Sequence, residues 1–183
     1  LSDYTLAYCA NGCADGLFEY QVTWPAGTTI AAGGTYSVCN SGLGDTSGCD
    51  QVIGTPYYGV GFNGDDFYTL VSGTYTDITT APMSAVIDAI GHTPTMSADP
   101  GSYWPICGTG SGMDTRNGQM RRVPGTMCGD PSGAAFDGTM LTPCPWTEVP
   151  DTTFVAAWSN SPSPPPAPPT ATATISVGGG SYA

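Results

Sequence analysis

The stretch Asn63-Gly64-Asp65-Asp66-Phe67-Tyr68-Thr69-Leu70-Val71 sets a turn directly against a strand. Asn-Gly supplies the positive-φ positions of a tight hairpin turn, and Asp65 and Asp66 are suited to accept hydrogen bonds from turn amides. The five residues that follow are aromatic, β-branched or aliphatic, which suits a pleated, half-buried surface. The same pattern recurs on both sides. Leu1 to Cys9 alternates, and Leu17 to Trp24 alternates more clearly before a turn at Pro25-Ala26-Gly27. Thr35 to Cys39 is launched by Gly33-Gly34, Tyr57 to Phe62 is short and glycine-interrupted, and Ala85 to Ile90 is an apolar run closed by Gly91. Met120 to Val123 is a weak strand around Arg121 and Arg122, and Thr152 to Trp158 is the last strand expected in the body. No segment carries helical periodicity. Short strands with turn signals every eight to twelve residues or so predict an all-β sandwich or barrel.

Composition narrows the function classes. Residues 1–158 are the size of one domain, and Gly 26 with Pro 17 favours turns over helices. Lys+Arg is 3 against Asp+Glu 15, a formal net charge of −12. Phosphate recognition needs clustered cations, so no nucleic-acid partner is expected. No apolar run reaches about 18 residues, so no membrane insertion is expected either. The first residue is Leu1 rather than a methionine, which suggests a processed product. Seven cysteines, no lysine and a Ser/Pro-rich tail point to an oxidising, secreted or cell-surface setting.

The cysteines read as local staples. Cys9 and Cys13 bracket an Asn11-Gly12 turn, Cys39 and Cys49 bracket a Ser/Gly/Asp loop, and Cys128 and Cys144 bracket a Gly/Pro-rich excursion. Loops of about ten to fifteen residues, once closed, are worth about 3 kcal/mol in the chain-entropy picture, although connectivity does not follow from spacing. Cys107 is left over, as a buried free thiol or an intermolecular bridge. Zinc would want C-x-x-C or paired-histidine spacing. Neither exists, and His92 is the only histidine, so no metal or other cofactor is expected.

The chain ends differently from its body. Ser161 to Pro169 is proline-rich and favours polyproline II, a stiff conformation rising about 3.1 Å per residue. Residues 159–169 are therefore a linker, and 170–183 a separate element. Within it, Ala171, Ala173, Ile175 and Val177 fall on one face and Thr172, Thr174 and Ser176 on the other. A strand with an apolar face on a stiff arm, some 30 Å long, is expected to pair with something other than its own body. The arm resembles the Ser/Pro linkers of hydroxyproline-rich glycoproteins of algal walls and appendages. That likeness implies hydroxylation or glycan attachment at Ser161, Ser163, Pro164, Pro165, Pro166, Pro168, Pro169, Thr170 and Thr172. No Asn-x-Ser/Thr sequon is present.

The body resembles the secreted, cysteine-containing lamin-tail domains. The likeness is carried by Asn63-Gly64-Asp65-Asp66 and its strand, then Ile87-Asp88-Ala89-Ile90-Gly91, then Asp99-Pro100-Gly101 and Trp104, in that order. It implies a compact immunoglobulin-like β-sandwich, a binding or structural module without catalytic residues. Ile87 and Ile90 would be core, Trp104 a large buried anchor, and Arg121 or Arg122 a partner for an aspartate in the turns. In that family the segment matching Leu1–Leu6 follows an opening strand of the form Ile-Ser-x-Val-x-Gly-Gly-Gly and a second, apolar and acidic strand. This sequence starts after both, and Ile175 to Tyr182 resembles the opening one. Head-to-tail complementation between identical subunits follows as the expectation, propagating as a filament if it does not close.

Other functions find less in the sequence. His92 has no nucleophile in a recognisable setting, and Asp65, Asp66, Asp88, Asp99, Glu19 and Glu148 are read as turn carboxylates rather than an acid/base pair. No catalytic residue is expected. A carbohydrate- or calcium-binding module is the alternative. Tyr57, Tyr58, Tyr75 and Tyr103 would stack on sugar rings, against the plainer role of cross-strand packing. Asp65/Asp66 and Asp45/Asp50 would ligate calcium, against the plainer role of bonding turn amides.

Overall fold

A computed structural model of the chain describes residues 1–12, 18–22, 24–31, 34–42, 46–54, 64–75, 83–91, 99–116, 118–123, 126 and 128–150. These residues are all-β, with short 3₁₀ turns at Met83–Ala85 and Ala134–Phe136 the helical elements among them. The strands are β1 (Tyr4–Cys9), β2 (Tyr20–Gln21), β3 (Val38–Asn40), β4 (Gln51–Ile53), β5 (Phe67–Ser72), β6 (Val86–Ile90), β7 (Gly118–Arg122) and β8 (Trp146–Pro150). The expected strands Tyr57–Phe62 and Thr152–Trp158, the linker and the tail lie outside the described residues.

The main sheet has the order β2-β1-β5-β6 and is antiparallel throughout. Register places Tyr4, Leu6 and Tyr8 on one face with Tyr68, Leu70, Asp88 and Ile90. Trp104, Ile106, Met120, Ala135, Phe136 and Trp146 cover that face. Ala7, Cys9, Phe67 and Ala89 line the other face, beneath Phe18 and Tyr75. With both faces covered, Phe67 to Val71 is buried at every position, so β5 shows no polar alternation. Fully burying Phe67, Leu70 or Val71 is worth about 1.5–3 kcal/mol each against exposure.

Two small ribbons complete the described structure. β7 and β8 pair antiparallel, and bring Met120 and Trp146 onto the covered face. β3 and β4 pair in parallel, joined through residues 41–50 and stapled by Cys39–Cys49. That connection is short for a parallel pair.

Three strands differ from the sequence reading, and one of them, β4, lies where no strand was expected. Among the described residues of Leu17–Trp24 the strand is the two-residue β2, and beyond it the Trp24 indole N–H donates to the Tyr4 carbonyl (2.8 Å). A side chain there occupies an acceptor at the end of β1. β8 was not expected. Pro145 precedes it, Pro150 ends it and Glu148 lies within it, all depleted in strands.

Trp104 and Gly91 fix the turn end of the sheet. Trp104 is buried, donating its indole N–H to the Asp66 carbonyl (2.8 Å) and its amide to Thr115 Oγ1 (2.9 Å). Gly91 has φ +100°, and a Cβ there would lie 2.7 Å from Phe67 Cδ2 and 3.1 Å from Trp104.

Candidate functional site

The conspicuous carboxylates are engaged in holding the fold. Asp66 is buried, and its Oδ1 accepts from the Asn11 amide (3.1 Å). It also takes the Tyr8 phenol, whose pKa is driven far above its ordinary value by burial and then by this carboxylate. Asp50 accepts from the Ser37 amide (2.7 Å) and hydroxyl (2.8 Å). Asp99 takes the Gly101 amide (2.6 Å), and Glu19 the Ala10 amide (2.6 Å). Asp65 Oδ1 is buried without a hydrogen-bond partner. Among the described residues no three His, Cys, Asp or Glu side chains converge as a metal would require. Asp45, His92, Tyr57 and Tyr58 lie outside those residues.

Asp88 departs from the sequence reading. It was expected on a turn; it lies in the middle of β6, fully buried within the main core. Its Oδ1 accepts from the Arg122 guanidinium, from the Asp130 amide (2.7 Å) and from the Ala89 amide (3.1 Å). Arg122 was expected to meet a turn aspartate and instead meets this strand aspartate. Its guanidinium lies 3.9 Å from the Trp146 ring centroid, and Trp146 packs edge-on to Phe136 at 5.7 Å. The ion pair thereby ties β6 to the β7–β8 ribbon through the core. Beside it, a Cβ on Gly129 would sit 2.1 Å from the Ile87 carbonyl oxygen. The 128–130 segment is therefore pressed against β6.

The disulfide expectation needs one correction. Cys39–Cys49 forms, and Cys9 is disulfide-bonded, with Cys13 outside the described residues. Cys144 pairs with Cys107 rather than Cys128, and Cys128 is the free, exposed thiol. Cys107 donates its amide to Ala135 O (2.6 Å) and accepts from the Leu141 amide (3.3 Å), which sets it beside Cys144. Loop-closure entropy grows only slowly with length, so nearness in sequence was a weak guide to the pairing.

One open groove carries unspent polar chemistry. It encloses about 230 Å³ and is lined by Tyr103, Pro105, Thr109, Met113, Asp114 and Arg116 together with Gly112. Its wall is the 105–114 loop, closed by the Pro105–Asp114 bridge and by the Ile106 amide to Met113 O (3.0 Å). Trp104 and Thr115, both buried, anchor its two ends. The Arg116 guanidinium carbon lies 3.8 Å from the Tyr103 ring centroid. Arg116 also grips Asp114, Nε to both oxygens at 3.2 Å and Nη2 to Oδ2 at 2.6 Å. These hydrogen bonds hold the Asp114 carboxyl below the usual carboxylate range. Of the proposed sugar-stacking tyrosines, Tyr103 is 36% exposed here, whereas Tyr75 is half-buried and packs over Phe67 and Ala89. The sequence reading passed over Asp114 and Arg116. The available signal was an Asp-x-Arg pair in a chain with so few cations. No family model, curated protein or solved structure matches this chain.

Proposed function

We propose that this chain is a structural, non-catalytic subunit of an extracellular glycosylated filament, joined head to tail by donation of residues 170–177 to a neighbouring subunit. The observation that carries this reading is the strict alternation from Thr170 to Val177, placed after the proline-rich stretch Ser161–Pro169. An apolar strand face needs cover, and backbone groups need partners; a neighbour's sheet edge supplies both. The all-β body supports it, as does the inward use of its carboxylates. The Cys39–Cys49 and Cys107–Cys144 disulfides fit a secreted protein. The packing of one face of the main sheet against the β7–β8 ribbon accords with an immunoglobulin-like, lamin-tail-like sandwich. In this reading the linker bears glycans on hydroxylated prolines and on its serines and threonines. Deleting residues 170–183 is expected to leave folded monomers in sedimentation and no filaments in negative-stain micrographs. Filaments from the deleted protein would refute strand donation.

A second reading rests on the groove. Tyr103 beside a guanidinium–carboxylate pair offers a stacking face and hydrogen-bonding groups suited to a sugar. Calorimetric titration with oligosaccharides tests it. Tyr103→Ala should abolish any heat seen with the unaltered chain, and no heat from that chain removes the reading.

A further inference from the structure

Strand donation needs a receptive edge, and the inference below rests on that reading. The ends of the main sheet are poor candidates. β6 is closed at its centre, where Gly129 abuts the Ile87 carbonyl and the Asp130 amide is fixed to Asp88. β2 offers only Tyr20 and Gln21.

The parallel ribbon is different. In a parallel ladder alternate residues turn their peptide groups toward the partner strand. The Gln51 amide donates to Ser37 O (3.0 Å) and the Ser41 amide donates to Ile53 O (2.9 Å), so Gln51 and Ile53 face β3. The N–H and C=O of Val52, between them, face away. No strand among the described residues pairs with that side. On the opposite edge of the ribbon, Val38 is half-buried and Asn40 buried, so that edge is less accessible than the side of Val52. The Val52 side chain is 46% exposed. Parallel strands otherwise belong to larger sheets covered on both faces, and a two-stranded unit is marginal alone. An exposed apolar residue on an open edge is what soluble proteins avoid unless something pairs with it.

We infer that the outer edge of β4, centred on Val52, is where residues 170–177 of a second copy add as a third strand. The occupant fits in three ways. It alternates with period 2, it has an apolar face to lay beside Val52, and residues 170–183 include no charged side chain to be repelled by a body of net charge −12. The nine residues Ser161 to Pro169, at about 3.1 Å each in polyproline II, extend roughly 28 Å. That is close to the diameter of a small domain, which directs the strand to a neighbour.

The test uses the full chain with a photo-reactive benzophenone amino acid at Val52, and in parallel at Gln21 on β2 or Thr147 on β8. Equal amounts of ¹⁵N-labelled and unlabelled protein are assembled, irradiated, digested and read by mass spectrometry. The expected product joins position 52 to the 170–183 peptide, with mixed isotopes. A link from Gln21 or Thr147 to the tail, with none from Val52, overturns the β4 edge and leaves strand donation standing. A tail linked only within one chain, or to nothing, overturns both. Val52→Pro removes the outward N–H and the exposed apolar side chain while leaving the Gln51 and Ile53 bonds to β3 in place. It is expected to keep the monomer's melting temperature and raise the concentration needed for assembly about tenfold, the equivalent of one hydrogen bond. Unchanged assembly by that variant also overturns the edge.

Discussion

Removing the Arg122 guanidinium tests whether the body is held together through its core or around its rim. Arg122 and Asp88 have side chains 9% and 0% exposed, whereas Arg116 and Asp114 are 45% and 21% exposed. Breaking one side of a buried pair strands the other charge away from water, at a cost of about 3–5 kcal/mol. The lost stacking on Trp146 adds to this, though not independently, so Arg122→Ala should cost about 4 kcal/mol. Domains of this size are stable by some 5–15 kcal/mol, so the loss takes a large share. With a urea slope of about 2 kcal/mol/M, the midpoint falls by roughly 2 M. The assay is urea unfolding followed by tryptophan fluorescence, since Trp104 and Trp146 are both buried. Asp88→Leu with Arg122→Met removes both charges and should lie closer to the unaltered protein than either single change. Arg116→Ala, on the exposed pair, should leave the midpoint where it was. A shift under 0.5 M or so for Arg122→Ala, or a double variant as weak as the two singles summed, would refute this account.

Other consequences are equally direct. The Cys107–Cys144 loop spans 37 residues against 10 for Cys39–Cys49, so chain entropy sets the losses on removal at about 3.8 and 2.7 kcal/mol. Thermal melts should rank Cys107→Ser below Cys39→Ser and leave Cys128→Ser at the unaltered value; a non-reduced peptide map linking Cys128 to Cys144 would contradict the pairing. Because the folded state raises the Tyr8 pKa, stability from that proton is complete below about pH 10, the unfolded value, and is lost as pH rises beyond it. Absorbance at 295 nm should show a phenol component that ionises only as the protein unfolds, and Tyr8→Phe should diminish it. Gly91→Ala places a methyl group against Phe67 in a left-handed backbone, and a loss of about 1–3 kcal/mol by urea unfolding is expected.

How much of this was legible in the sequence depends on where the signal lay. The turn and strand at Gly64–Val71 were readable because local composition and local structure agree there. β6 was readable as an apolar run, but the role of Asp88 was not. A lone aspartate in such a run gains its meaning from Arg122, 34 residues away, and only packing brings them together. The Cys107 pairing was hidden for the same reason, being set by the Ala135 and Leu141 contacts. β4 is three residues long, and its parallel partner is defined by hydrogen bonds that leave no periodic trace. Arg116 went unremarked because its partners Asp114 and Tyr103 have chemical value only where the 105–114 loop closes. The tail's pattern, conversely, is legible only as sequence.

The close approach of Gly129 to the Ile87 carbonyl takes one edge out of the proposed assembly. A unit with one tail and one receptive edge is bifunctional, and bifunctional units grow as unbranched threads. Were β6 open as well, each body would receive two tails while offering one, and the same chemistry would yield a cross-linked gel. A glycine whose missing side chain lets one loop lie on one strand thus lowers the number of tails a body can receive.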